Sequence, residues 1–205
     1  CENVLGEEPE NIRSRIGDPK KSPADQASEY FDDNYEDSTC PARNAQVFAK
    51  VERISVEGVR RMYEVARDEK EWAQKPLEER ISPITQAILA IQKNRGNLIK
   101  AGMLDTAFSG DQFDGEVSEM VEMYYAAVLG ARTFRDGEGY EPCPKGDGVT
   151  VVSCPWNFPM AIPWNGIINA LIAGGRVIVK PAPETEYSTY QVVKLLWAAG
   201  VPKDV

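Results

Sequence analysis

The residues best placed to do chemistry form one pentapeptide, Pro155-Trp156-Asn157-Phe158-Pro159, in which two prolines fix the backbone around an amide and two aromatic rings. An asparagine held that rigidly at the end of a strand can donate a hydrogen bond to a developing oxyanion. The same residues also suit a plain turn, with Asn157 accommodating awkward dihedrals and the rings filling a core. The pentapeptide by itself leaves both readings open. Lys180 closes a second run, Arg176-Val177-Ile178-Val179-Lys180. At a strand end an ammonium can meet a ribose hydroxyl or a phosphate, or can simply be a solvated cap.

The rest of the reactive inventory is defined by what is missing. The 205 residues contain no histidine. That removes histidine-based zinc sites, imidazole general bases, the Ser-His-Asp triad and the Cys-His dyad. The four cysteines, Cys1, Cys40, Cys143 and Cys154, form no C-x-x-C pair, so no metal site is expected and free thiols in a reducing, cytoplasmic compartment are. No secretory apolar segment is visible. Cys154 abuts the pentapeptide, but an apolar strand end raises a thiol's pKa and makes this residue a small buried hydrophobe. Asp32, Asp33, Glu36 and Asp37 lack the glycine and terminal glutamate of a calcium loop; they read as a solvated acidic loop.

Elements able to position these groups are visible in the periodicity. Val56, Val59, Met62 and Val65 mark a helix over about 55–70. A second is expected from Pro83 to about Arg95, with Ser82 as N-cap, Pro83 at the first position and Gly96 as the stop. Val117, Met120, Val121, Tyr124 and Val128 share the stripe of a third, so the first two thirds of the chain read as helical. The pattern then changes. Thr150–Ser153 is an uncharged β-branched run, expected as a strand buried on both faces. Trp164, Ile167, Ile168 and Leu171 mark a helix ended by Gly174 and Gly175. Residues 176–180 form a second strand, and Tyr187–Ala199 a helix ending at Gly200. Strand, helix, strand, helix defines a βαβα unit on a parallel sheet. The G-x-G-x-x-G fingerprint of a dinucleotide fold is missing from its first turn. The strand-end loops 154–159 and 180–185 are the expected site.

Length and charge bound the possibilities. At 205 residues and 42% apolar the chain can bury a core. A net charge of −9 supplies no positive field for nucleic acid. Residues 1–40 hold 4 Lys/Arg against 11 Asp/Glu, a local −7 that leaves −2 for the remainder. With Pro9, Pro19 and Pro23, this leader reads as a linker or loosely packed arm, and we divide the chain into an acidic leader or interdomain linker, 1–45, and a folded part, 46–205. No charge falls between Gly148 and Gly175, but Pro155, Pro159, Pro163, Asn157, Asn165 and Asn169 there exclude a membrane span.

Residues Thr150–Val205 resemble the start of the cofactor-binding domain of the aldehyde dehydrogenase superfamily. The carrying motifs are PWNFP at 155–159, ALIAGGRVIVKPAPET at 170–185 and AAGVPKDV at 198–205, with matching spacing. WAQKPLEER at 72–80, EVSEMVEMYYAA at 116–127 and GVTVVSCPWNFP at 148–159 extend the likeness back to about residue 50. The resemblance implies an α/β fold in which N-terminal helices precede the first βαβα of a parallel-sheet NAD(P)-binding domain, an incomplete aldehyde dehydrogenase fold. It implies oxidation of a small aldehyde by thiolate attack, hydride transfer to NAD, or to NADP, and thioester hydrolysis. Asn157 matches the family's oxyanion-hole asparagine. Ser153, Trp156 and Lys180 match cofactor contacts, the lysine on the adenosine ribose, and Phe158 matches the substrate tunnel. Family members bind the dinucleotide without the glycine fingerprint and pair into homo-oligomers.

Two positions depart from the family pattern. Pro183 stands where a glutamate usually accepts from the ribose hydroxyls, with Glu184 one place late, so NADP should be tolerated. Gly175 stands where an asparagine is usual. The family's nucleophilic cysteine and general-base glutamate fall beyond Val205, so these residues alone are expected to be inactive. EERISPITQAILAIQKNRGNLI at 78–99 is similar to the glutamate-semialdehyde (pyrroline-5-carboxylate) dehydrogenase branch. ENVLGEEPENI and NYEDSTCPARNAQVF are loosely similar to the region joining the two halves of bifunctional proline utilization A proteins. The competing expectation is a non-catalytic aldehyde-dehydrogenase-like domain kept for assembly or tunnel lining; a generic α/β binding module is the plainest alternative.

Overall fold

The candidate loops rest on a two-stranded parallel sheet, β4 (Val149–Ser153) beside β5 (Arg176–Lys180), joined by the crossover helix α6 (Ala161–Ala173). The computed structural model describes residues 10–12, 31–42, 46–136 and 148–205; Cys1 and Cys143 lie outside them. Helix α7 (Glu186–Ala198) follows β5 through a short 3-10 turn, Pro183–Thr185. This is the βαβα unit expected from the sequence, within a residue or two at each end, but β4 is not buried on both faces: Val152 faces the core while Thr150, Val151 and Ser153 are exposed. Gly174 has φ +94° at the C-terminus of α6, a left-handed conformation that glycine adopts without steric penalty. Gly166 lies where α6 crosses β4: a Cβ there would come within 2.9 Å of Val152 Cγ1.

Upstream, the helices are α1 (Val56–Asp68), α2 (Glu71–Gln74), α3 (Leu77–Lys93), α4 (Arg95–Thr106) and α5 (Gly110–Asp136). Ser55 caps α1 by accepting from Gly58 N–H at 3.0 Å, close to the expected start. Helix α3 differs from expectation. It begins at Leu77, and Pro83 lies inside it. The missing proline N–H removes one bond to the preceding turn; burial of Ile81, Ile84, Ala87, Ile88 and Ile91 along one face outweighs that loss. Gly96 is not a stop. Asn94 turns the chain, its amide donating to Ala90 O at 2.8 Å, and Gly96 sits in the first turn of α4.

The expectation that the first two thirds are helical is also corrected. β1 (Glu10–Ile12), β2 (Phe31–Cys40) and β3 (Gln46–Ile54) form a second sheet, with β3 central, parallel to β1 and antiparallel to β2. Asp32, Asp33, Glu36 and Asp37 therefore lie in a strand and not in a loop, with Glu36 and Asp37 still exposed to solvent on it. Opposite charges across the ladder permit this: Asp37 stands opposite Lys50, and Arg53 of β3 pairs with both Glu36 and Glu186. Cys40, Phe48, Ala49 and Val51 bury one side of this sheet against Leu104 of α4.

One apolar core unites α3, α4, α5, β4, α6 and α7. Within it Asp105, at the end of α4, accepts from Ser188 N–H in the first turn of α7 at 2.7 Å. Burial pushes the Asp105 carboxyl up to about 7, while its bonds to Ser188 pull the other way. A raised folded pKa gives a contribution present below the unfolded value and lost as pH rises through the folded one. The stability difference between Asp105→Asn and wild type, measured by urea denaturation, should therefore shift in favour of the variant between pH 4 and pH 8, by about 1–4 kcal/mol. A difference that is flat with pH would show that Asp105 does not titrate in this range.

Candidate functional site

The register of β4 and β5 sets Ser153 directly beside Lys180 at the C-terminal ends of the two strands. Pairing continues one step further, with Cys154 N–H donating to Lys180 O at 3.1 Å. Residues 155–159 leave the sheet from β4, and residues 181–185 leave it from β5, at the edge where open α/β sheets receive ligands. Ser153, Trp156, Asn157, Lys180 and Pro183 are exposed there, and Phe158 is partly buried. Trp156 is half-exposed, its ring 5.7 Å from that of Phe108 between α4 and α5. Among the described residues Lys180 Nζ makes one long contact, donating to Pro181 O at 3.4 Å, and Lys180 is exposed. Pro183 opens the 3-10 turn and brings no side-chain acceptor; the neighbouring Glu184 is exposed.

What holds the pentapeptide in place comes from residues that the sequence reading did not single out. Glu116 of α5 is buried, 2% exposed. Its Oε2 accepts from Met160 N–H and Ala161 N–H, each at 3.0 Å. These are the first donors of α6, directly after Pro159, and α6 has no local side-chain cap. Burial pushes the Glu116 pKa up, the two N–H groups draw it down, and Glu119 adds like-charge repulsion. Thr189 of α7 donates to Pro159 O at 2.7 Å. The loop is thus fastened at one end by the β4–β5 ladder and at the other by side chains from α5 and α7. A signal for Glu116 was present: it falls four residues before Met120 and eight before Tyr124, on the same buried helical face.

Cys154 is buried, with Sγ 3.6 Å from Val152 O. Burial pushes its thiol up to about 11, against a smaller opposing effect of Lys180. A thiol so protonated is a poor nucleophile at neutral pH, in keeping with its reading as a small core residue. Cys40 is likewise a buried free thiol. Among the described residues no group of three or more His, Cys, Asp or Glu could hold a metal ion, and no helix is long and apolar enough to cross a membrane.

A small parallel sheet packed with helices, in this mixed α/β order, matches the N-terminal part of the aldehyde dehydrogenase fold. The fold superposes on proline utilization A from Bdellovibrio bacteriovorus with a TM-score of 0.85, at 22% identity, over 99% of this chain and 21% of that one. It superposes on 1-pyrroline-5-carboxylate dehydrogenase from Thermus with bound NAD with a TM-score of 0.81, at 22% identity, over 100% of this chain and 40% of that one. Residues 30–205 match the aldehyde dehydrogenase family, and the chain belongs to that family. The match reaches further upstream than the motifs, which begin at about residue 50, and takes in β2. In sequence the chain is similar to 1-pyrroline-5-carboxylate dehydrogenase of Staphylococcus haemolyticus, 26% identical over 96% of this chain and 40% of that protein. It is also similar to the same enzyme of Staphylococcus epidermidis, 30% identical over 82% of this chain and 34% of that protein. A putative succinate-semialdehyde dehydrogenase [NADP(+)] of Mycolicibacterium smegmatis is 32% identical over 65% of this chain and 28% of its own length. The chain spans two fifths or less of these relatives.

The burial of Cys154 has a chemical consequence. In the native protein at pH 7.5, iodoacetamide should modify Cys154 at least about tenfold more slowly than an exposed model thiol, with modification appearing on addition of urea. Rapid native labelling of Cys154, read by peptide mass spectrometry, would show an accessible thiolate.

Proposed function

We propose that this chain is the cofactor-side part of an NAD(P)-dependent aldehyde dehydrogenase that oxidises L-glutamate γ-semialdehyde to glutamate. The observation that carries the proposal is an exposed Asn157 on a loop anchored at both ends, at the C-terminal edge of β4 and β5. The names of the staphylococcal relatives support the choice of substrate. In this proposal Asn157 donates its amide N–H to the aldehyde oxygen as negative charge develops there, from a position set before substrate arrives. Phe158 borders the aldehyde's path, and Trp156, packed on Phe108, gives the nicotinamide side a rigid wall. Ser153 and Lys180 fit a dinucleotide: they lie side by side in solvent, with an ammonium free to donate to ribose hydroxyls. The dinucleotide, when bound, supplies the hydride acceptor. A cytoplasmic setting and a homo-oligomeric assembly belong to the same proposal. Its rival is a non-catalytic member of the family, favoured by Pro183 at the position of the ribose-binding glutamate.

Two experiments bear on the chemistry. In the complete gene product, Asn157→Ala should lower kcat for aldehyde oxidation by about 10²–10³-fold, with KM for the dinucleotide nearly unchanged. A wild-type rate in the variant would remove Asn157 from the reaction, and an absence of oxidation by wild type with any aldehyde would favour the rival.

Cofactor choice tests Pro183. With no carboxylate there to repel a 2′-phosphate, wild type should use NADP at a kcat/KM within about tenfold of NAD, and Pro183→Glu should widen the preference for NAD by about tenfold. Measurable turnover with NAD and none with NADP would contradict this reading.

A further inference from the structure

We infer that Glu116 is a positioning residue for Asn157: its buried carboxylate sets the orientation of the amide by holding the first two donors of α6. This rests on the proposed role of Asn157, while the geometry stands on its own. A helix start leaves backbone N–H groups without intrahelical partners. Here the residue at the cap position is Met160, which has no acceptor. Met160 N–H and Ala161 N–H instead both reach Glu116 Oε2, at 3.0 Å.

Asn157 precedes Met160 by three residues. Of the residues between, Pro159 has a fixed φ and a carbonyl held by Thr189 at 2.7 Å. Few torsions remain between the clamp and the amide. A displacement of the α6 start is therefore transmitted to Asn157, and catalytic geometry is lost over about 1 Å. The clamp is also specific in chemistry. Glu116 Oε1 is buried with no hydrogen-bond partner among the described residues. A glutamine in this place would keep one acceptor for the two N–H groups. It would also put an unsatisfied N–H2 where that oxygen lies. A carboxylate at a helix N-terminus further gains from the aligned peptide dipoles.

The test is a double-mutant cycle in the complete gene product, with Asn157→Ala, Glu116→Ala and both together. Glu116→Ala should lower kcat of the folded enzyme by about 10²-fold with little change in KM for NAD. Glu116→Gln should recover part of the loss. If Glu116 acts through Asn157, the double variant will be no slower than Asn157→Ala alone. Losses that multiply would overturn the inference, as would a wild-type kcat per folded molecule in Glu116→Ala, the signature of a residue that only stabilises. Backbone amide exchange gives a readout independent of catalysis. At a temperature where circular dichroism shows both proteins folded, Glu116→Ala should speed exchange at residues 157–161 by about tenfold or more, leaving α3 unchanged. Unaltered exchange there would overturn the clamp even if the enzyme oxidises no aldehyde; faster exchange in an enzyme without activity would keep the clamp and reject the proposed reaction.

Discussion

Helix α6 has no charged residue and no local side-chain cap, yet one whole face of it is buried in the apolar core, and satisfying its two ends is the constraint that orders everything around it. Buried backbone donors and acceptors need partners, and at a helix terminus they cannot find them within the helix. At the N-terminus the partner is the Glu116 carboxylate. At the C-terminus Trp72 Nε1 donates to Leu171 O and Arg80 Nε donates to Ile172 O, both at 2.9 Å. The carboxylate therefore meets the positive end of the helix dipole and the guanidinium the negative end. Neither charge has the other as its direct partner. Each is compensated by peptide groups of α6, which is why both are tolerated in an otherwise apolar layer.

This arrangement explains which parts of the structure were legible in the sequence. The βαβα unit was, because β4 and β5 are short β-branched runs and α6 and α7 end at glycines. Those signals are local. The sheet β1–β3 was not, because the acidic residues of β2 look like solvated chain until their partners are known. Arg53 comes to pair with Glu36, and Lys50 to stand opposite Asp37, only once β3 lies alongside. Pro83 misled for the opposite reason. A local rule placed it at a helix start, and tertiary burial of the isoleucine face carried the helix past it.

The candidate site divides along the same line. Asn157 and Lys180 could be picked out because they sit in loops with conspicuous composition. Their supports could not, because Glu116 and Thr189 act from other helices at sequence separations of about 30 to 45 residues. Asp105 likewise acts on α7 across 83 residues. Only Glu116 left a trace, as an acid on an apolar helical face, and a trace of that kind gains meaning once its acceptor role is seen.

A single feature links these supports. The two helices that follow the candidate loops, α6 and α7, each receive a buried carboxylate near the N-terminus, Glu116 from α5 and Asp105 from α4. Both carboxylates are pushed up in pKa by burial. The exposed acids Glu78, Asp114 and Asp136 are instead held down by arginine partners, and such solvent-facing pairs add little to stability. For the candidate loops the consequential acids are therefore the buried Asp105 and Glu116, which sit on α4 and α5. α4 and α5 are better understood as the frame of the site. They do not supply the amide or the ammonium, but they fix where the chain turns back into the core after each strand. A loop whose far end is held by a carboxylate from another helix has its geometry written in the packing of α4 and α5, and changes there reach Asn157 without touching it.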